Sequence, residues 1–240
     1  MKSIELQTLL DQGQVWAGQL SSTDQGRATG HAELDAALAQ SGWPKHGIVD
    51  LHSPGLGHGE LQLVLPSLAQ NESRLWLWLD PPMQPCSQAL IKAGLDLARC
   101  LIVRTQSQGD ALWALERCLQ SGCVDSALSW LREAPSTQAL RRLQIAAERG
   151  GALAHLLYDQ SWQIQAGTHA RIGLLPGTRP GQVQIHIQHQ RGGPQRQPLE
   201  LGLLAVQAAE PRAPKPAQFA PLSPDAIATR PLQNRLQLAL

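Results

Sequence analysis

The sequence predicts an α/β fold: a mostly parallel central sheet flanked by helices, with an antiparallel extension at the C-terminal side. Three observations predict it. Short apolar runs alternate with helical patterns from residue 31 to residue 158, the order that builds a helix-covered parallel sheet. One of those runs, LWLWL at 75–79, is apolar on both faces, as a central parallel strand is. Past residue 160 the period changes. Residues 170–175, 183–190 and 199–204 alternate apolar with polar side chains, between the turn-rich PGTRPG and RGGPQRQP. That is the pattern of antiparallel strands.

The elements follow in order. Residues 3–10 (SIELQTLL) read as a short helix capped by Ser3. It makes residues 1–20 a segment for docking on a neighbouring subunit or a partner. A helix is expected at 31–40 from the spacing of Leu34, Ala37 and Leu38. The turn SGWPKHG leads into a strand at 48–51, and a glycine loop leads on to a helix at 60–69. After strand 75–79, Asp80-Pro81-Pro82 ends the ladder, because proline cannot donate to it. Helix 88–93, strand 100–103, helix 111–120, strand 124–131, helix 137–149 and strand 153–158 complete the alternation. From residue 208 to residue 240 the chain is a Pro- and Ala-rich tail that reads as a flexible tether. At its end Leu232, Leu236 and Leu240 have the spacing of one helix face. Leu236, Leu238 and Leu240 also alternate as an added strand would. A short apolar peptide on a tether is a partner-binding device.

Composition narrows the function classes. With 42% hydrophobic residues the chain can fill a core, and with a net charge of +1 it has no global field toward nucleic acid or anionic membrane. The four cysteines (Cys86, Cys100, Cys118, Cys123) form no C-x-x-C pair, so buried free thiols in a reducing cytoplasm are expected. No run approaches the roughly 18 apolar residues of a membrane span. No metal site is expected, since His58, His186 and His189 have no ligand cluster at metal spacing.

Residues 34–38 (LDAAL), then GWPKHGIVD, AGLD at 93–96 and SGCVD at 121–125, resemble in their order the RecA core. Within that superfamily, four stretches together resemble the ImuA group, SulA/RecA-like mutagenesis proteins of proteobacteria. They are GHGELQLVLPSLA (57–69), WLWLDPPMQP (76–85), ALWALERCLQSG (111–122) and ALRRLQIAAERGG (139–151). The resemblance implies a RecA-like P-loop-type core over residues 21–207. It also implies a non-catalytic accessory role in SOS-induced translesion DNA synthesis. The partners implied are an ImuB-like protein and an alternative DnaE-type polymerase, with RecA or a second copy of the chain beside them. Two other readings stand next to this one: a SulA-like SOS inhibitor of cell division, and a DNA-binding RecA-like ATPase.

A working phosphate loop reads G-x-x-x-x-G-K-[ST], with lysine and hydroxyl meeting phosphate and magnesium. Aligned on RecA, Ser53 and His58 take the glycine positions, Gly59 the lysine and Glu60 the hydroxyl. The swing is two charges, each worth on the order of several kcal/mol at contact distance. Pro82 stands where RecA has its catalytic glutamate, and Trp130 where it has the metal-binding aspartate. No catalytic residue and no cofactor are therefore expected, and at most weak nucleotide binding. Gly55, Gly57 and Gly59 would serve a tight strand-to-helix turn, and Glu60 would suit the positive end of the helix. Arg132, Arg141, Arg142 and Arg149, with Arg191 and Arg196 in the loop RGGPQRQP, are candidates for nucleic-acid or partner contact. Trp162 reads as an apolar anchor.

Overall fold

The computed structural model describes residues 25–55, 57–70, 74–159, 168–193, 197–203 and 237–238. The helix expected at 3–10, Trp162, Arg196, Leu232, Leu236 and Leu240 lie outside the described residues.

One nine-stranded mixed sheet forms the frame, in the order β8-β7-β6-β1-β5-β4-β2-β3-β9. The strands are β1 (Gly47–Ser53), β2 (Leu75–Leu79), β3 (Cys100–Arg104), β4 (Val124–Trp130), β5 (Leu153–Asp159), β6 (Ala170–Pro176), β7 (Gln182–Gln190), β8 (Leu199–Gly202) and β9 (Gln237–Leu238). The neighbours from β6 through β1, β5, β4 and β2 to β3 run parallel. β7 and β8 add antiparallel beyond β6, and β9 adds antiparallel on β3. Helices α1 (Ala32–Ala37), α2 (Glu60–Ala69), α3 (Ser87–Lys92), α4 (Gln108–Gln120) and α5 (Thr137–Gly150) connect or flank them.

Side-chain period explains the two cores. Successive strand residues face opposite ways, so Trp76 and Trp78 of β2 join one cluster while Leu77 and Leu79 join the other. The first cluster takes Val49, Leu51, Ile172 and Ile185 from the strands and Leu34, Leu63 and Leu68 from α1 and α2. The second takes Ile48, Leu77 and Leu156 and is roofed by Leu115 and Leu119 of α4 and Leu140 and Leu143 of α5. Trp130 packs its ring 5.4 Å from Trp78, so its bulk serves the first cluster. α4 starts where Ser107 accepts the Asp110 amide, and α5 where Ser136 accepts the Ala139 amide. A capping hydroxyl satisfies an amide that the helix cannot pair.

The expectation of a RecA-like P-loop-type core is corrected. In a phosphate loop an anion sits at the start of the helix. The protein's own carboxylate holds that end of α2: Glu60 is only 8% exposed and Ser53 Oγ lies 2.5 Å from its Oε1. Gly59 stands before the helix at φ 99°, and a Cβ there would collide with Leu203 Cδ1. Its lack of a side chain lets the chain beyond β8 close over the loop. At the start of α2 this turn therefore carries a buried carboxylate where a phosphate loop carries a hydroxyl.

Candidate functional site

In a parallel sheet the chain turns into its helices at the carboxyl ends of the strands, and loops there carry function. At this edge β2, β3 and β4 are tied by one node. Asp80 follows β2 at φ 51°, a left-handed conformation that is uncommon outside glycine. Its carboxylate accepts the Thr105 amide (2.6 Å) and the Thr105 hydroxyl (2.6 Å), and pairs with Arg132 at 3.2 Å. Arg132 also donates to the carbonyls of Thr105 (2.6 Å) and Gln106 (3.0 Å). Arg104 at the end of β3 donates to the Pro81 carbonyl at 2.8 Å. These bonds anchor the start of the loop 81–86, on which Met83 stands 71% exposed. Ile91 on α3 is 45% exposed.

A second polar group lies inside the sheet. Asp50, in the middle of β1, is fully buried, and its Oδ2 accepts the Thr168 hydroxyl at 2.9 Å and faces Arg171 Nε and Nη2 at 3.4 Å. Its Oδ1 has no hydrogen-bond partner among the described residues. Burial pushes the Asp50 carboxyl up to about 6, against the Thr168 hydrogen bond and the Arg171 charge, which lower it. His52 stacks on Tyr158 at 5.8 Å on the same side of β1, and burial lowers its pKa. On the other side of the sheet His155 is wholly buried, 5.1 Å from the Trp43 ring. Burial, aided by the Arg27 charge, brings it down to about 3, so it is a neutral core residue. Arg27 itself pairs with Asp125 at 2.7 Å.

The expected contact residues are not gathered into one patch. Arg132 is built into the Asp80 node. Arg141, Arg142 and Arg149 are exposed along α5, with Arg142 paired to Glu116 at 3.4 Å. Arg191 is exposed in the turn after β7, its amide bonded to the His169 carbonyl, at the amino-terminal edge of the parallel strands. Ser53, Gly55, Gly59 and Glu60 do come together, as the turn between β1 and α2. His58 packs against it, its Nδ1 3.2 Å from the Gly55 carbonyl. Gly57 has φ 85° and open space around it. No group of three metal-ligating side chains occurs among the described residues, and no helix among them is long and apolar enough to cross a membrane.

Sequence reasoning missed Asp80, Asp50 and His155. A signal existed for the last two, since each is a polar residue inside an otherwise apolar strand run (IVDL, LAHLL). Asp80 was read only as the start of a proline stop.

Comparison with known proteins adds the family. The model of "Cell division inhibitor SulA" matches residues 52–154, from the end of β1 to the start of β5. The cell division inhibitor SulA of Cronobacter sakazakii is 32% identical over 129 residues, which cover 52% of this chain and 70% of that protein. SulA of Photorhabdus laumondii is 35% identical over 101 residues, or 41% of this chain and 56% of that protein. SulA of Edwardsiella piscicida is 29% identical over 126 residues, or 51% and 74%. The crystal structure of SulA from Pseudomonas aeruginosa aligns with a TM-score of 0.40 at 24% identity, covering 46% of this chain and 97% of that one. The family model and the sequence relatives overturn three expectations. The resemblance to ImuA and RecA gives way to one with SulA. The accessory role in translesion synthesis gives way to the second reading, inhibition of division. The partners that went with the first role, an ImuB-like protein, a DnaE-type polymerase and RecA, go with it.

Proposed function

We propose, since the chain belongs to the cell division inhibitor SulA family, that it is a non-enzymatic inhibitor of cell division, produced in the SOS response and acting in the cytoplasm by protein contact. The observation that carries this reading is the 32% identity to a named inhibitor across 70% of that protein's length. The contact surface in this reading is the braced edge at the carboxyl ends of β2 and β3. Met83, Ile91 and Arg132 all lie inside the matched residues 52–154, and the Asp80 node anchors the start of the Met83 loop, which lowers the cost of ordering on binding. Arg141 and Arg149, exposed on α5, form a second candidate contact face.

The experiment is expression in a rod-shaped bacterium, with cell length and division-ring assembly scored by microscopy. The expected result is filamentation and lost rings. Met83→Glu should restore division by placing a charge in the contact, while its thermal unfolding stays that of the parent. Normal division at a matched soluble level of the parent chain would sink the reading. An Arg141→Glu/Arg149→Glu variant that still filaments cells would remove α5 from the contact.

A further inference from the structure

β3 is the outermost parallel strand, and its free side is an edge. Edges are hazards when they are apolar, because their unpaired amides and carbonyls invite another chain. This one is apolar: Cys100, Leu101 and Ile102 are half-buried and Val103 is buried. Burial pushes the Cys100 thiol up to about 12, so the edge carries no reactive thiolate either. Among the described residues the only strand on this side is β9, which pairs antiparallel with Leu238 opposite Val103 and Gln237 opposite Arg104. The apolar tail end alternates at 236, 238 and 240, the period of a strand with one face inward.

We infer that the outer edge of β3 is a strand-docking site whose occupant is the chain's own C-terminal segment, residues 236–240. Continuing the observed register would bring residue 240 opposite Leu101 and cover the apolar part of the edge. The tether permits it. β8 ends at the far side of the sheet, eight strands from β3 inclusive, a span of about 34 Å at roughly 4.8 Å per strand. Residues 203–236 join the two ends. A coil of about 34 residues has a root-mean-square reach of about 32 Å, and effective concentration is highest when reach matches span. β3 lies inside the family match and β9 outside it. The docked strand begins opposite Arg104, which holds the Pro81 carbonyl. The inference stands without the division reading, because it concerns binding alone.

The test compares the full chain with a chain ending at residue 231. The probe is a synthetic peptide of residues 232–240, labelled at its N-terminus and read by fluorescence anisotropy. The peptide is expected to bind the shortened chain, and to bind the full chain at least about tenfold more weakly, since the tethered copy competes. Binding to neither chain, or equal binding to both, overturns the inference. Should the shortened chain fail to fold, Leu238→Pro in the full chain serves instead. It is expected to reduce hydrogen-exchange protection of residues 100–104 at least about tenfold, and unchanged protection there overturns the inference. A shortened chain that pairs into dimers blocked by the peptide supports it, as the bared edge would then be taken by a second copy.

Discussion

Asp50 and His155 make opposite demands on pH. The folded pKa of Asp50, about 6, is above its unfolded value, so burial favours the protonated carboxyl. Its contribution is complete below about pH 4 and is lost as pH rises to about 6. His155 at about 3 and His169 at about 4 are depressed, burial being the main cause in both. They contribute fully above about pH 6.5, and lose that contribution as pH falls through the range to their folded values. Between about pH 6 and pH 4 these two histidines, joined by His52 whose pKa burial also lowers, oppose one carboxyl, a full proton difference being worth about 1.4 kcal/mol per pH unit. Urea midpoints should therefore fall on acidification from pH 7 to pH 5. Asp50→Asn should steepen that fall and His155→Gln should flatten it. Midpoints that rise toward pH 5 in the parent chain would contradict this balance. At the Asp80 node, Thr105→Val removes a hydroxyl from a carboxylate that is 6% exposed, with an expected cost of about 1–3 kcal/mol in thermal or urea unfolding.

The turn between β1 and α2 is legible at the scale of elements. The glycines and the acidic residue at the start of the helix predicted a tight turn with Glu60 in the first helical turn, and α2 does begin at Glu60. What closes that turn is remote. Leu203 lies where a Gly59 Cβ would go, and no local pattern connects residue 59 with residue 203. Gly59→Ala should destabilise the protein by at least about 1–2 kcal/mol, because φ 99° is costly for any residue with a Cβ and the new Cβ meets Leu203. Adding Leu203→Ala should recover part of the loss. A double variant whose cost equals the sum of the two singles would show that the contact carries no coupling. Ser107→Ala at the start of α4 should cost about 1 kcal/mol, as loss of a capping hydroxyl does.

For the whole molecule, the family match ends where β5 begins, but the fold does not. β6 pairs with β1 on the side away from β5, and β7 and β8 follow. Ile172, Leu174, Ile185 and Ile187 of that extension are in the same cluster as Val49 and Leu51 of β1. Deleting residues 160–203 would bare the β1 edge and open that cluster. Soluble yield and near-ultraviolet circular dichroism should then collapse, even though residues 52–154 remain. A well-folded deletion product would mean that the matched half is self-sufficient.

Local period in the chain set the kinds of the described elements and the bounds of a few, while others moved by up to three residues, as at α1 (32–37 against 31–40) and α4 (108–120 against 111–120). α2 at 60–69 and β2 at 75–79 coincide with the periods read from the chain, because period is a property of near neighbours. The short motifs of the sequence pointed to the wrong family, and the longer alignments to SulA relatives corrected that. Tertiary structure decided what depends on distant pairs. It set Thr168 against Asp50 across 118 positions and Arg27 against Asp125 across 98. It also set Leu203 against Gly59 and placed Gln237 and Leu238 on β3. The physical reason is that burial and charge pairing follow from which strands become neighbours, and that order is a property of the whole sheet.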